Sequence, residues 1–189
     1  MHISPTSFSL ALCLAATAWA QQDSGQQGAT PQMTISSSAF QEGQEMPGKY
    51  TCEGTNTSPP ISWSNVPAKA VSLALIADDP DAPDPAAPKM TFVHWVIYDV
   101  PVSAKGLPEG VKSKSLPPGT REGKNGRGKP GYTGPCPPIG RHRYFFKLFA
   151  LDTVLSDQKQ PSSEQLQKAM EGHVLAKAQT IGTYQKQKK

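Results

Sequence analysis

The segment DDPDAP, residues 78–83, holds several carboxylates close together. Pro80 and Pro83 fix their own φ angles and favour extended backbone in the residues before them, so the segment is stiff. Neighbouring acidic side chains repel one another, and this repulsion must be offset. One offset is solvent, in a polar turn after a buried strand, which is the favoured interpretation of this segment alone. The other is a site that needs acceptors at fixed positions.

Two histidines accompany apolar strands. His94 lies in FVHWVIYDV, where strand alternation places it on one face with Phe92, Val96 and Tyr98. Taken alone, it is interpreted as a buried neutral histidine with a backbone partner. His142 precedes the aromatic run of GRHRYFF, where a histidine can simply mark the start of a strand.

Together with the acidic segment, these side chains predict a small anion pocket. Imidazole rings and the Tyr144 hydroxyl donate hydrogen bonds, while a carboxylate orients an imidazole or binds a ligand's amine. We expect Asp79 to accept a hydrogen bond from His94 or His142, and that ring to donate its other N–H to the anion. A backbone N–H near Gly134 is expected to add a further donor.

Other catalytic motifs are incomplete. GKNGRGKP, residues 123–130, has the spacing of a phosphate-binding loop, but Pro130 replaces the magnesium-binding hydroxyl and no strand or helix flanks it. It is better interpreted as an exposed basic loop. No G-x-S-x-G nucleophile motif occurs, and the histidines lack zinc-ligand spacing, so we expect no cofactor. A metal would need distant side chains to converge: Asp81, His94, Cys136 and His142.

Composition favours one β-rich domain. The chain has 189 residues, with 19 prolines and 16 glycines spread along it, which is typical of many turns and strands. The net charge of +4 is too small to indicate a nucleic-acid partner. Its distribution is uneven: residues 78–99 hold five acids and one base, and residues 105–147 hold ten bases and two acids. If the fold brings these segments together, one site has both acceptors and cations.

The N-terminal segment predicts export. Residues 1–20 contain no Lys, Arg, Asp or Glu, and an apolar stretch precedes Ala-Trp-Ala, which fits a signal peptide cleaved near residue 20. The stretch is too short to span a membrane. Residues 21–32 are polar and free of aromatic residues, so they are predicted to be a disordered leader. We expect a periplasmic or secreted protein without a transmembrane segment.

Cleavage would leave two cysteines, Cys52 and Cys136. In an exported chain this pair favours one disulfide, and the alternative is two buried free thiols. A bond between them would close a long loop and stabilise the fold by about 4–5 kcal/mol on the chain-entropy description.

Apolar runs bounded by turn residues predict the strands. They are MTISSSAF (33–40) at an edge, ISWSNVP (61–67), VSLALIA (71–77), TFVHWVIYDV (91–100) and RYFFKLFALD (143–152). The fourth and fifth are apolar on both faces, so we expect them to be covered on both sides.

One helix is predicted near the C-terminus. It begins near Ser162, which forms a capping box with Gln165. Its apolar face is predicted to hold Leu166, Ala169, Met170 and Val174. Gly172 weakens the second half of this helix. Residues 178–184 are expected to return as a last strand, and residues 185–189 to form a frayed basic tail.

Several separated motifs resemble the phosphatidylethanolamine-binding protein family. They are DDPDAP, the histidine of FVHW and GRHRY; TCEGTNTSPPISW, GYTGPCPPIGRHRYFFKLFALD and AMEGHVLAKAQTIGTY are similar to its bacterial branch. The resemblance covers residues 33–184, which we take as the domain. It implies an antiparallel β-sandwich-like fold with a few peripheral helices, and a pocket for phosphate or phosphoethanolamine-like groups.

The resemblance also assigns residues. Ligand-binding positions fall on Asp79, Asp81, His94, Gly134, Pro135, His142 and Tyr144. Arg143 matches too, and we expect it to pair with a carboxylate. Arg127 stands where many bacterial relatives have an aromatic residue, which implies a more cationic rim.

Three functions are therefore considered. The first is an exported, non-catalytic binding or regulatory protein with a small anionic or phosphorylated ligand. The second is a protease or kinase inhibitor that binds its partner through a surface loop. The third is a hydrolase or lyase that uses His94 and His142 as acid and base. No activated nucleophile or metal set supports the third.

Overall fold

The computed structural model describes residues 1–2, 32–155 and 157–187. The predicted signal peptide, apart from Met1 and His2, and nearly all of the predicted leader lie outside these residues. Eight strands and one α-helix follow in this order: β1 (Thr34–Ser36), β2 (Ile61–Ser64), β3 (Ser72–Ala82), β4 (Met90–Pro101), β5 (Gly106–Leu107), β6 (Arg121–Glu122), β7 (Arg141–Leu151), α1 (Ser163–Ala169) and β8 (Val174–Gln185).

The strands form two antiparallel sheets. The larger has the order β6-β4-β3-β7-β8, and the smaller has the order β1-β2-β5. In the larger sheet β3 is central, and Ala77 lies opposite Trp95 of β4 and Phe146 of β7. The predicted mainly β, sandwich-like class with antiparallel sheets is confirmed. Two short 3₁₀ turns, Gly48–Tyr50 and Ser113–Ser115, accompany the strands.

The larger sheet is buried on both faces, as the apolar runs predicted. On β3, Leu73 and Leu75 join a cluster that also contains Trp63 of the smaller sheet. Their neighbours Ala74 and Ile76 face the other way, into a second cluster. Each fully buried Leu or Ile stabilises the fold by roughly 1.5–3 kcal/mol, so this double-sided burial holds β3 firmly. Two of the strands that contribute residues to the site are β3, which is the central strand of this sheet, and β7, which is its direct neighbour.

The helix α1 begins as predicted and ends early. Ser162 and Gln165 form the reciprocal capping box, and Leu166 is fully buried in the second cluster. Gly172 has φ +79°, which terminates the helical conformation. Val174 was expected on the helix face, and this is wrong, because it is the first residue of β8. Among the described residues, no helix is long and apolar enough to cross a membrane.

The last strand is longer than predicted. It starts at Val174 rather than near residue 178, and it ends at Gln185. Within the predicted tail, the Gln187 backbone N–H donates to a Glu53 carboxylate oxygen at 2.9 Å. Residues 188–189 lie outside the described residues.

Candidate functional site

The acidic segment belongs to a strand. β3 continues through it to Ala82, so the prediction of a polar turn after the strand is wrong. Pro80 and Asp81 stand opposite the single residue Thr91, which is a β-bulge. Proline has no N–H to contribute to the ladder, so a bulge is where it fits. The Asp81 N–H instead donates to Asp79 Oδ1 at 2.8 Å, which fixes the carboxylate beside the bulge.

The Asp81 carboxylate pairs with an arginine. Arg143 donates to its carboxylate from Nη2 (2.7 Å to Oδ1), from Nε and from the backbone N–H (both 2.9 Å to Oδ2). These hydrogen bonds hold the pKa of Asp81 below its ordinary value. The expected pairing of Arg143 with a carboxylate is confirmed. Because both oxygens of Asp81 are engaged, it supports the bulge and is not among the residues that line the cavity described below.

Asp79 pairs with His142, which is one of the two histidines expected as its partner. Its Oδ2 lies 2.7 Å from Nδ1 of the fully buried His142. The second ring nitrogen, Nε2, lies 2.9 Å from the Ile139 carbonyl oxygen, which can only accept. His142 was expected to donate this second N–H to the anion, and the structure instead directs it to the protein backbone. Desolvation by burial raises the pKa of Asp79 above its ordinary value.

His94 is placed by a second bulge. Ala77 lies opposite Trp95 and the next residue, Asp78, lies opposite Val93, so His94 is an extra residue in β4. This shift moves the ring away from the face of Val96, with which strict alternation had grouped it. The ring contacts Phe92, as expected, and Tyr144 in place of Val96.

The chemistry of His94 follows from its hydrogen bonding. Nδ1 lies 2.5 Å from the Thr133 carbonyl oxygen, and Nε2 is buried with no partner in the described part of the chain. Burial lowers the pKa of His94 to about 4, so the ring is neutral at physiological pH. Nδ1 must carry the proton, because the carbonyl can only accept, and Nε2 therefore presents a lone pair.

Tyr144 lies between the two histidines. Its ring centroid is 5.1 Å from that of His94, edge-on, and 6.4 Å from that of His142, stacked. Its hydroxyl is buried without a partner among the residues described. Burial raises the pKa of Tyr144 far above its usual range, so the hydroxyl keeps its proton and remains available as a donor.

A cavity of about 220 Å³ opens where these strands meet. It is lined by Asp79, Ala82, Pro83, Met90, Phe92, His94, Arg127, Gly134, Cys136, Pro137, Pro138 and His142. Four predicted site residues, Asp79, His94, Gly134 and His142, are thus brought together. The other three, Asp81, Pro135 and Tyr144, are not among the lining residues. The cavity has a polar base and a rim made mostly of apolar side chains.

The rim segment is held by neighbouring loops. The Gly134 N–H, which was expected to serve the anion, donates to Asn56 Oδ1 at 2.6 Å, and the Pro135 carbonyl accepts from the Cys52 N–H at 3.0 Å. The sulfur atoms of Cys52 and Cys136 lie 2.08 Å apart, with their Cα atoms 5.4 Å apart. Pro135 itself does not line the cavity.

Arg127 is the cavity's cation, and sequence reasoning did not count it among the ligand-binding residues. The loop of residues 123–130 is exposed at Lys124, Arg127 and Lys129, as predicted for a basic loop. Arg127 Nε donates to Thr133 Oγ1 at 3.1 Å, which brings the guanidinium to the rim. Arg127 also lines a second cavity of about 460 Å³ beside the first. The resemblance had implied a more cationic rim at Arg127, but it did not name Arg127 as a ligand-binding residue.

The side chains considered above as possible metal ligands do not form a metal site; they are Asp81, His94, Cys136 and His142. Across the described residues, no three His, Cys, Asp or Glu side chains group closely enough to hold a metal ion. Asp81 is bound to Arg143, and Cys136 is bonded to Cys52.

Comparison with known proteins agrees with this architecture. Residues 36–185 match the family described as phosphatidylethanolamine-binding protein. The UPF0098 protein of Methanothermobacter thermautotrophicus is 49% identical over 155 residues, which is 82% of this chain and 99% of that protein.

Solved structures give the same result. A putative phosphatidylethanolamine-binding protein homologue from Chlamydia trachomatis has a TM-score of 0.75 at 42% identity, with 82% of this chain and 99% of that chain covered. YbcL of E. coli, titled a new member of the mammalian family, has a TM-score of 0.74 at 28% identity, with coverage of 83% and 100%. The chain belongs to the phosphatidylethanolamine-binding protein family.

Proposed function

We propose that the protein is an exported, non-catalytic binding protein whose cavity takes a small anion, such as phosphate or a phosphoethanolamine-like group. The observation that carries this proposal is the pairing of one cation with a buried, unused polar side chain in one small cavity. Arg127 and His94 line it, and His94 Nε2 is unpartnered within the described chain. The Tyr144 hydroxyl is also unpartnered there, and its ring contacts His94 from just outside the lining. Unpartnered buried polar atoms are uncommon in native proteins, and a ligand would satisfy them.

Charge supports an anion. The pair of His142 and Asp79 has zero net charge, whether it consists of an imidazolium and a carboxylate or of two neutral groups. Arg127 then leaves a net charge of +1 at the cavity. At about 220 Å³ the cavity is smaller than the 300–1,000 Å³ typical of larger ligands, which supports a small head group. The name of the family and the description of the Chlamydia trachomatis homologue support the same ligand class.

The histidines favour binding over catalysis. General acid–base chemistry needs a ring nitrogen that can exchange a proton with the substrate. Both nitrogens of His142 are bonded to the protein, and the depressed pKa of His94 leaves it a weak base at neutral pH.

Export is supported by the paired cysteines. Disulfides persist in oxidising compartments and are rare in the cytosol, and Cys52 and Cys136 are bonded. Thiol titration of the denatured, unreduced protein from its own cells is expected to detect no thiol from this pair. Two titratable thiols at these positions would count against export.

The binding proposal is tested by calorimetric titration of the purified protein with inorganic phosphate. Arg127→Gln removes the cation from the rim, and Lys124→Gln removes a cation from the same loop that does not line the cavity. A hydrogen bond to a charged group contributes about 1.5–3 kcal/mol, so Arg127→Gln should weaken binding by roughly 10–100-fold. Lys124→Gln should bind as the unmodified protein does. Equal loss in both variants, or no binding at all, would contradict the proposal.

A further inference from the structure

We infer that His94 acts as a hydrogen-bond acceptor toward the ligand, and that the cavity therefore selects anions that carry a proton over anions that carry none. The favoured class is the protonated phosphate or the monoanion of a phosphate monoester, and the disfavoured class includes sulfate. This inference deepens the proposed function and rests on it, because it needs an anion in the cavity.

The first step is the tautomer of His94. The Thr133 carbonyl oxygen, 2.5 Å from Nδ1, has no proton to give, so Nδ1 is the N–H and Nε2 is the acceptor. Nε2 has no hydrogen-bond partner among the described residues. The ring is 5% exposed, so an unmet acceptor there is costly and a ligand that meets it gains affinity.

The second step is that His94 has no counter-charge that would make it a donor. The groups that face or act on it are Phe92 on its own strand, Tyr144 and His142 in β7, Asp79 in β3, and Arg127 and Thr133 in the segment between β6 and β7. Asp79 is the one carboxylate in this set, and its two oxygens accept from the Asp81 N–H and pair with His142. The positive charge of Arg127 opposes protonation of the ring, which agrees with the depressed pKa of His94.

The third step is the charge match. Arg127 supplies one positive charge at the rim, and the Asp79–His142 pair is neutral overall. A phosphate monoester monoanion matches this charge, and its P–O–H can donate to Nε2 while its other oxygens accept from Arg127. A fully deprotonated anion would direct an oxygen lone pair at the Nε2 lone pair, which is repulsive. Sites built around one hydrogen-bonding direction discriminate strongly against ligands that cannot supply it.

The test compares two anions of similar size by calorimetry at constant ionic strength. Inorganic phosphate carries at least one proton from pH 5.5 to 7.5, whereas sulfate carries none. We expect phosphate to bind at least about tenfold more tightly than sulfate at both pH values. O-phosphoethanolamine adds an internal control, because its phosphate loses its proton near pH 6. Its apparent affinity should fall by roughly 25-fold from pH 5.5 to 7.5, and that of inorganic phosphate only a few-fold.

A substitution at His94 tests its role as an acceptor separately from the rest of the cavity. His94→Gln introduces an amide that can donate, so the ratio of phosphate to sulfate affinity should fall toward one. His173→Gln makes the same replacement at an exposed histidine that pairs with Asp152 and does not line the cavity, and its ratio should be unchanged. Thermal melting verifies that both variants fold.

The outcomes are distinguishable. Equal affinity for phosphate and sulfate in the unmodified protein would overturn the inference and leave the proposed anion site intact. Unchanged discrimination in a folded His94→Gln variant would overturn it as well. Failure of phosphate, O-phosphoethanolamine and sulfate alike to bind would overturn the proposed function, and the inference with it.

Discussion

The Asp79 carboxylate and the His142 imidazole form a closed pair in which neither group is left free for a ligand. Oδ2 lies 2.7 Å from Nδ1, Oδ1 accepts from the Asp81 N–H, and the remaining ring nitrogen is directed at the Ile139 carbonyl. The pair therefore fixes the bulge of β3 against β7 and shapes the base of the cavity. In the proposed function, contact with an anion would fall instead to Arg127 and His94, which line the cavity.

Asp79→Asn should act mainly on stability. The amide keeps the shape but can donate only one of its two N–H groups to His142 Nδ1, and the other is left buried without an acceptor, which costs about 1–3 kcal/mol. We expect the free energy of unfolding at pH 7 to fall by this amount in urea denaturation. Asp84→Asn, a partly exposed carboxylate just beyond β3, is the matched control and should change it by less than about 0.5 kcal/mol. An Asp79→Asn variant as stable as the unmodified protein would contradict the closed pair.

Asp81→Asn should destabilise the protein in a pH-dependent way. The pKa of Asp81 is depressed in the folded state, first through its side-chain hydrogen bonds to Arg143, so its stabilisation is present above the unfolded pKa of about 3.9. It is lost as the pH falls through the lower, folded pKa. Because Arg143 remains 56% exposed and solvent screens it, we expect a difference of about 1–2 kcal/mol at pH 7.

Unfolding measured at pH 7, 5 and 3 checks this expectation. The difference between Asp81→Asn and the unmodified protein should be nearly the same at pH 7 and 5 and smaller at pH 3. A difference that grew on acidification would have the wrong sign.

Gly134→Ala should disrupt the rim. A Cβ at Gly134 would lie 2.4 Å from the Tyr50 carbonyl oxygen and 2.6 Å from Asn56 Oδ1, and the first of these is backbone that cannot move freely. Overpacking of this kind costs about 1–3 kcal/mol. Gly48→Ala is the control, since nothing lies within 4 Å of its added Cβ. Thermal melts should show a clear loss of Tm for Gly134→Ala alone; equal melting of both variants would exclude the close approach.

Much of the fold could be predicted because short stretches of the sequence show both the pattern of buried residues and the turn residues. The central strands are apolar on both faces, and the capping box at Ser162 fixes where α1 begins. The length of α1 was overestimated, because Val174 fits a helical face as well as it fits a strand. The end of the helix depends on the left-handed conformation of Gly172.

Four of the seven predicted site residues line the cavity, Arg127 was not among those predicted, and the hydrogen bonding could not be predicted. Alternation places His94 with Val96, and only the extra residue in β4 moves it to Tyr144; such bulges depend on pairing between distant strands. The partner of His142 was one of two expected arrangements. The use of its second nitrogen by the Ile139 carbonyl depends on a loop path that no motif encodes.

The most direct test observes the ring nitrogens of His94 by ¹⁵N NMR of histidine-labelled protein, between pH 5.5 and 8, with and without phosphate. Our account predicts a neutral ring throughout, with the proton on Nδ1 and a lone pair on Nε2, because its pKa is about 4. Saturating phosphate should shift the Nε2 signal of His94 toward that of a hydrogen-bonded acceptor, while His173 stays unchanged. A proton on Nε2, a titration within this pH range, or no change in His94 when phosphate is saturating would contradict the account.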